Sequence, residues 1–278
     1  MKINTHCSSF SGLLKFVLIV AIIAILLTIV GPYVVVWLAR QPATETHEYS
    51  ESFYTTYDDV RAHIGERVEL LQEQGIQVER ESYAIDESDD LYIDKLYIPS
   101  LSERTNLIVI TTGVHGIEGY IGSVMLDVFF DEIFPTLDRE NTGILVVANV
   151  NPYGMKYMRR YNENNVDLNR NFIEDWESFD LSSNKEYPKV ESFLQPEGAM
   201  GNAFWHEVGF YLSLGKEAVF TGADTISDAL LTGQYEYPEG VYYGGNGDEK
   251  STAYLKGVFA ECLDGEYENI VHIDIHSG

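Results

Sequence analysis

The stretch NLIVITTGVHGIEGYIGS, residues 106–123, decides how this chain folds. Residues 106–112 form a continuous apolar run without alternation, as in a strand buried on both faces of a sheet. A glycine-rich turn follows, and residues 118–134 read as a helix. Outward from there, GILVVANV (143–150) is a second buried strand and ENIVHIDIH (268–276) a third. Upstream, VERESYAI (78–85) and LYIDKLYI (91–98) alternate around an acidic turn, which predicts a hairpin. Val60, Ile64, Val68 and Leu71 recur at helical spacing and predict an amphipathic helix over 57–74. Further helices are expected near 202–217, 223–231 and 249–263, and residues 151–200 read as mostly irregular. Strands alternating with helices imply an α/β fold. The expectation is a three-layer α/β/α domain with a mostly parallel mixed sheet, spanning residues 55–278.

The first forty residues are of another kind. From Phe16 to Ala39 runs FVLIVAIIAILLTIVGPYVVVWLA, 24 residues without a charge. About 20 apolar residues in a helix cross a bilayer core. The run is longer than the apolar core of a cleaved signal peptide, and no clear small-x-small site follows it. It is therefore expected to be a transmembrane signal anchor over 16–39, preceded by a short cytoplasmic segment (1–15) and followed by a polar linker (40–54). Lys2 and Lys15 precede the span, while Arg40 is the one base close behind it. The positive-inside rule then places the domain on the extracytoplasmic side. Cys7 would be cytoplasmic and Cys262 alone outside, so no intrachain disulfide is expected.

The chain carries 18 basic and 44 acidic residues, a formal net charge of −26, and no acid occurs before Glu45. A field that negative repels phosphate backbones, which argues against a nucleic-acid partner. Against that background Arg159, Arg160 and Arg170 stand close together in NPYGMKYMRRYNENNVDLNRNF (151–172). Such a cluster is either a solvated loop or an anion site. Arg grips a carboxylate through two parallel hydrogen bonds, and Asn169 adds a further polar group.

Two more motifs bear on chemistry. His115 and Glu118 sit three apart in the turn after the first buried strand, at the sheet edge where open α/β sheets bind ligands. Alone, they read equally as a loop histidine and a first-turn acid. In HIDIHSG (272–278), His272, Asp274 and His276 share one face of a strand. His276 falls at the same sheet edge. Two His and one Glu suit Zn²⁺ and leave a position open for water, the arrangement of a catalytic site.

Taken together, H-G-I-E, N-P-Y-G…R…D-L-N-R-N-F and D-I-H-S-G resemble the zinc carboxypeptidase family of carboxypeptidase A-like metallopeptidases, and in particular a bacterial branch known by a domain-of-unknown-function label. The resemblance spans about residues 55–278, and D-L-N-R-N-F is its most specific part. It implies one Zn²⁺ held by His115, Glu118 and His276, with Asp167 hydrogen-bonded to His115. It implies that Arg160 polarises the scissile carbonyl and that Asn169 and Arg170 hold the terminal carboxylate of a peptide. Ser277 follows the third ligand, as in many members. The related aspartoacylase and succinylglutamate desuccinylase group shares the two-His, one-Glu site and takes N-acyl amino acids, and it is the alternative. A membrane-anchored module that binds anions or peptides without turnover is the third reading.

The chain departs from the family at one point. The general-base glutamate of the family lies on a strand beyond the third ligand, but this chain stops at Gly278, two residues after His276. The tyrosine-bearing loop of many members is also unmatched. The expectation is a fragment of a longer protein, with a degenerate relative as the other reading. Little or no peptidase activity is expected from the chain as it stands.

Overall fold

The computed structural model describes residues 15–26, 30, 31, 33, 53–195 and 203–277. In chain order the main elements are α1 (Tyr57–Glu73), β1 (Glu79–Asp86), β2 (Leu91–Ile98), β3 (Asn106–Thr112), α2 (Gly119–Val128), β4 (Thr142–Ala148), α3 (Pro152–Lys156), α4 (Tyr187–Leu194), α5 (Ala203–Glu217), α6 (Ala223–Leu231), α7 (Lys250–Asp264) and β5 (Asn269–Ile275). The chain clusters into two compact units, one of His47–Lys185 with Ala229–Gly278 and one of Met1–Thr46 with Glu186–Asp228.

The first unit holds a five-stranded sheet in the order β1-β2-β4-β3-β5. β1 and β2 pair antiparallel, as their short acidic turn requires, and β2 also meets β4 antiparallel. β4 and β5 flank β3 in parallel. The sheet is therefore evenly mixed rather than mostly parallel. The alternating strand LYIDKLYI shows the cause: it belongs to a hairpin, and hairpins bring antiparallel neighbours into a sheet.

β3 and β4 carry the buried runs expected of them, with Val109, Ile110, Ile144, Val146 and Val147 all at most 2% exposed. β5 differs from its expected burial. It is an edge strand, and Val271 and Ile273 are exposed. Helices cover both faces of the sheet. Leu96 of β2 shares a small cavity with Ile64 of α1 and Leu126 of α2. Its neighbours Lys95 and Tyr97 line a cleft with Val258 and Cys262 of α7. Side chains alternate across a strand, so α1 and α2 lie on one face and α7 on the other. This gives the three layers expected. Arg67 of α1 ties its layer together, donating to Asp127 of α2 at 2.8 Å and to Asp131.

Asp94 on β2 is a charge fully buried in this unit. It accepts from Arg61 Nε at 2.9 Å, Ser82 Oγ at 2.6 Å and Arg80 at 3.1 Å. Burial pushes its carboxyl up, but these hydrogen bonds and the two guanidinium charges outweigh burial and hold it below the ordinary carboxylate range. Cys262 is a free, buried thiol, which burial pushes up.

In the second unit, residues 15–26 are helical, with apolar side chains such as Phe16, Ile19 and Ile23 exposed. Phe193 of α4 stacks on Phe210 of α5 at 5.5 Å. Among the described residues, no helix is long and apolar enough to cross a membrane. Of the expected span 16–39, residues 27–29, 32 and 34–39 lie outside the described residues, as does Cys7.

Candidate metal centre

The centre lies where β3 and β5 end. Beyond Thr112 the chain turns at Gly113, whose φ of +74° is a conformation that glycine adopts without strain. His115 then precedes a single 3₁₀ turn, Gly116–Glu118, that leads into α2. This turn packs directly on α3. A Cβ on Gly116 would stand 2.1 Å from the Gly154 carbonyl carbon and 2.2 Å from Met155 N. Two backbones thus approach at a point where only glycine fits. The turn is also tied to the arginine loop, since Gly116 N–H and Ile117 N–H donate to the carbonyls of Arg160 and Arg159 at 3.3 and 3.0 Å.

The structure brings His115, Glu118 and His276 together. One donor atom from each lies within 4.8 Å of the other two. His115 Nδ1 stands 3.1 Å from Glu118 Oε1, and the two imidazole rings are 4.7 Å apart. The second oxygen of Glu118 accepts Ser277 N–H at 2.8 Å. That bond joins the end of β5 to the turn after β3. Ser277 acts here through its backbone.

Asp167 closes the site from behind. Its Oδ1 lies 3.2 Å from His115 Nε2 and accepts Asn169 N–H at 3.1 Å, while its Oδ2 accepts Arg160 Nε–H at 3.0 Å. His115 and Asp167 are both 0% exposed. Burial pushes the Asp167 carboxyl up, but the bond from His115 and the nearby Arg160 charge more than offset it and hold the group ionised. With its N–H on Nε2 the His115 ring donates to Asp167 Oδ1. The Nδ1 lone pair then faces Glu118 Oε1, two acceptors at hydrogen-bond distance. A cation shared between them relieves that opposition. Two ligands of a tetrahedral Zn²⁺ at about 2.0–2.1 Å stand roughly 3.3 Å apart, close to the separation seen here. The donor set fits such an ion, and Asp167 supplies the outer hydrogen bond that metal-bound histidines ordinarily make.

The three arginines have different surroundings. Arg160, anchored by Asp167, lies with its guanidinium 5.3 Å from the Tyr242 ring centre and keeps 27% of its side chain exposed. Arg170 packs against Gly233, donates to the Leu231 carbonyl at 3.0 Å, and has a buried Nε–H that finds no partner among the described residues. Asn169 is half-buried beside it. The Arg159 side chain is exposed and makes no ion pair among the described residues; its carbonyl accepts from the turn that carries His115 and Glu118 instead.

Several organising residues escaped the sequence reading. Asn151 caps α3 by accepting Gly154 N–H and donates to the Arg160 carbonyl at 3.0 Å. Asn171 latches the loop over 244–249 through Gly244, Gly247 and Glu249. Tyr243 accepts Asp167 N–H at 2.7 Å on its carbonyl, and Tyr235 donates to the Arg170 carbonyl at 2.8 Å. The two asparagines lie inside motifs already singled out. The dense Tyr and Gly of residues 233–245 were the available signal for the rest.

Solved structures with similar backbones include thrombin-activatable fibrinolysis inhibitor, at 15% identity over 84% of this chain and 49% of that one, TM-score 0.43. The bovine form of that protein, in complex with tick carboxypeptidase inhibitor, matches at 16% identity over 81% and 61%, TM-score 0.42. A Shewanella denitrificans protein provisionally named carboxypeptidase A matches at 20% identity over 46% and 34%, TM-score 0.33. The chain thus spans about a third to three fifths of the length of these structures. No curated protein matches it. A family model does match, over residues 53–278, and the chain belongs to that family, described as protein of unknown function (DUF2817), which carries the domain-of-unknown-function label expected from the motifs.

Proposed function

We propose that these residues form the metal- and carboxylate-binding part of a zinc-dependent hydrolase of the carboxypeptidase type, acting on the amide bond next to a free carboxylate. The observation that carries this reading is the convergence of His115, Glu118 and His276, with Asp167 joining His115 to Arg160. His115, Glu118 and His276 would hold one Zn²⁺. Bound there, the ion would acidify a water and polarise the amide carbonyl. An N–H on Nε2, bonded to Asp167, would leave Nδ1 as the ligand atom. Among the described residues Arg160 is held by hydrogen bond through Nε alone, so its terminal N–H groups remain to meet an oxyanion as charge develops. The Arg170 Nε–H, which has no partner among the described residues, with Asn169 next in sequence, supports a role in gripping a substrate carboxylate. Asp167 and Asp274 are committed to holding neighbours, so neither is proposed as the base that takes the water's proton.

The test is zinc-dependent binding of an N-acetyl dipeptide, compared with its C-terminal amide. The carboxylate form should bind and the amide should not, and His115→Ala should abolish the difference. Equal binding of acid and amide would contradict the reading. Binding confined to single N-acyl amino acids would move it to the aspartoacylase-like group.

We also propose that residues 16–39 anchor the protein in a membrane with the domain outside the cytoplasm. The support is the uncharged 24-residue stretch, with Lys2 and Lys15 before it. Protease added to intact cells should then remove the domain. Protection until the cells are lysed would contradict it.

A further inference from the structure

His276 lacks the confinement that His115 has. It lies one residue past the end of β5, and its side chain is 24% exposed. The sheet ladder therefore does not fix its ring. Thr111 of β3 and His272 of β5 lie on the same face of the sheet as its neighbour Asp274.

Thr111 of β3 stands directly opposite Asp274 of β5 in the parallel register. Its hydroxyl is buried, with the residue 2% exposed. Thr111 Oγ1 lies 2.7 Å from Asp274 Oδ1 and 2.9 Å from His272 Nε2. A hydroxyl has one proton. The carboxylate takes it, so His272 must donate through Nε2–H. The His272 ring is itself packed against Phe259 of α7, with centres 4.9 Å apart. The second oxygen of Asp274 stands 3.4 Å from His276 Nδ1, longer than a well-formed hydrogen bond. The result is a relay that runs from His272 to Thr111, to Asp274, to His276. It starts on the exposed His272 ring, which touches Phe259 on one side, and ends on His276, whose ring lies 4.7 Å from that of His115.

We propose that Asp274, held in place by Thr111 and His272, is the positioning residue of His276. Thr111 and His272 fix one carboxylate oxygen. The other oxygen then orients the His276 imidazole toward Glu118 and His115. The alternating pattern of H-I-D-I-H gains a purpose: its first two polar residues serve the third. A bland alternative is a surface hydrogen-bond network on an edge strand. The buried hydroxyl, with donor and acceptor both saturated by the strand that carries the third ligand, favours the positioning role.

This inference rests on the metal-centre reading, and its test separates the two. Zn²⁺ affinity is measured by chelator competition for the wild type, Asp274→Asn, Thr111→Val and Thr111→Ser, with His115→Ala as the control. Circular dichroism checks the fold of each. Asp274→Asn should weaken Zn²⁺ binding about 10- to 100-fold, the usual cost of losing an outer partner of a metal ligand. Thr111→Val should weaken it less, and Thr111→Ser, which restores the hydroxyl but not the methyl, should recover the wild-type value. Unchanged affinity in Asp274→Asn, or a Thr111→Ser value as weak as Thr111→Val, overturns the proposal. If the wild type binds no Zn²⁺, the metal-centre reading fails by itself. The positioning role is then judged from NMR relaxation of the His276 ring in the metal-free protein. A ring ordered in the wild type and mobile in Asp274→Asn supports it, and equal order in both overturns it.

Discussion

Replacing Asp167 by Asn removes one charge and one acceptor and leaves the shape of the side chain almost unchanged. The carboxylate has three protein donors, His115 Nε2, Asn169 N and Arg160 Nε, at 3.2, 3.1 and 3.0 Å. An amide has one oxygen. Keeping it on the His115 and Asn169 side sets the new NH₂ against Arg160 Nε–H, donor to donor. Arg160 then swings away. A hydrogen bond to a charged group contributes about 1.5–3 kcal/mol. Arg160 keeps 27% of its side chain in water, so screening lowers the cost to roughly 1–2 kcal/mol of stability. His115 meanwhile exchanges an ionised partner for a neutral one. Losing that support costs about 10- to 100-fold in metal affinity, which is about 1.4–2.7 kcal/mol. Urea unfolding of the metal-free protein reads the first quantity and chelator competition reads the second. Asp167→Asn with Zn²⁺ affinity within twofold of wild type and an unchanged unfolding midpoint would refute the role given to Asp167.

Other predictions concern the frame of the site. Asp94→Asn should destabilise the protein by about 2–3 kcal/mol, because it leaves two guanidinium groups facing a neutral amide, somewhat less than for a fully buried pair. The Asp94 carboxyl is held below its unfolded value, so its stabilisation is present above about pH 4 and is lost as pH falls through the folded value. Acid unfolding followed by tryptophan fluorescence should thus show a shallower acid limb in Asp94→Asn, and parallel curves would count against the buried pairing. Gly116→Ala should cost about 3 kcal/mol or more, since its methyl meets only backbone atoms of Gly154 and Met155. A melting temperature equal to wild type would show that the two backbones are not in contact. Arg170→Lys keeps the charge and loses the fork, so binding of the N-acetyl dipeptide should weaken about tenfold or more; calorimetry that finds no change would take Arg170 out of the carboxylate site.

Much of this architecture was legible because burial writes a simple pattern. NLIVITT and GILVVANV are continuous apolar runs, and both are central strands. The helical spacing of Val60, Ile64, Val68 and Leu71 matches the buried stripe of α1. ENIVHIDIH misled on burial for a reason visible in its letters. It alternates apolar and polar, as half-exposed strands do, and among the described residues β5 lies at the edge of the sheet. The orientation of β2 against β4 was not legible, because alternation in LYIDKLYI reports exposure and not which strand lies alongside. In the site, His115 and Glu118 could be placed together from a three-residue spacing. Their meeting with His276 depends on β3 and β5 being parallel neighbours, a long-range fact. Harder to read were the partners of the residues that position the others: the Asn151, Asn171 and Tyr235 side chains bond backbone groups of other residues, and Tyr243 offers its own carbonyl, so no spacing names what they hold.

The central claim is that His115, Glu118 and His276 form one metal site. The most direct measurement is the Zn²⁺ content of the purified protein after equilibration with the ion and removal of excess, read by atomic absorption. The wild type should retain one Zn²⁺ per chain, and His115→Ala and His276→Ala should each retain none while keeping the wild-type circular dichroism. A wild type that retains no Zn²⁺, or a folded His276→Ala that retains the full equivalent, would contradict it.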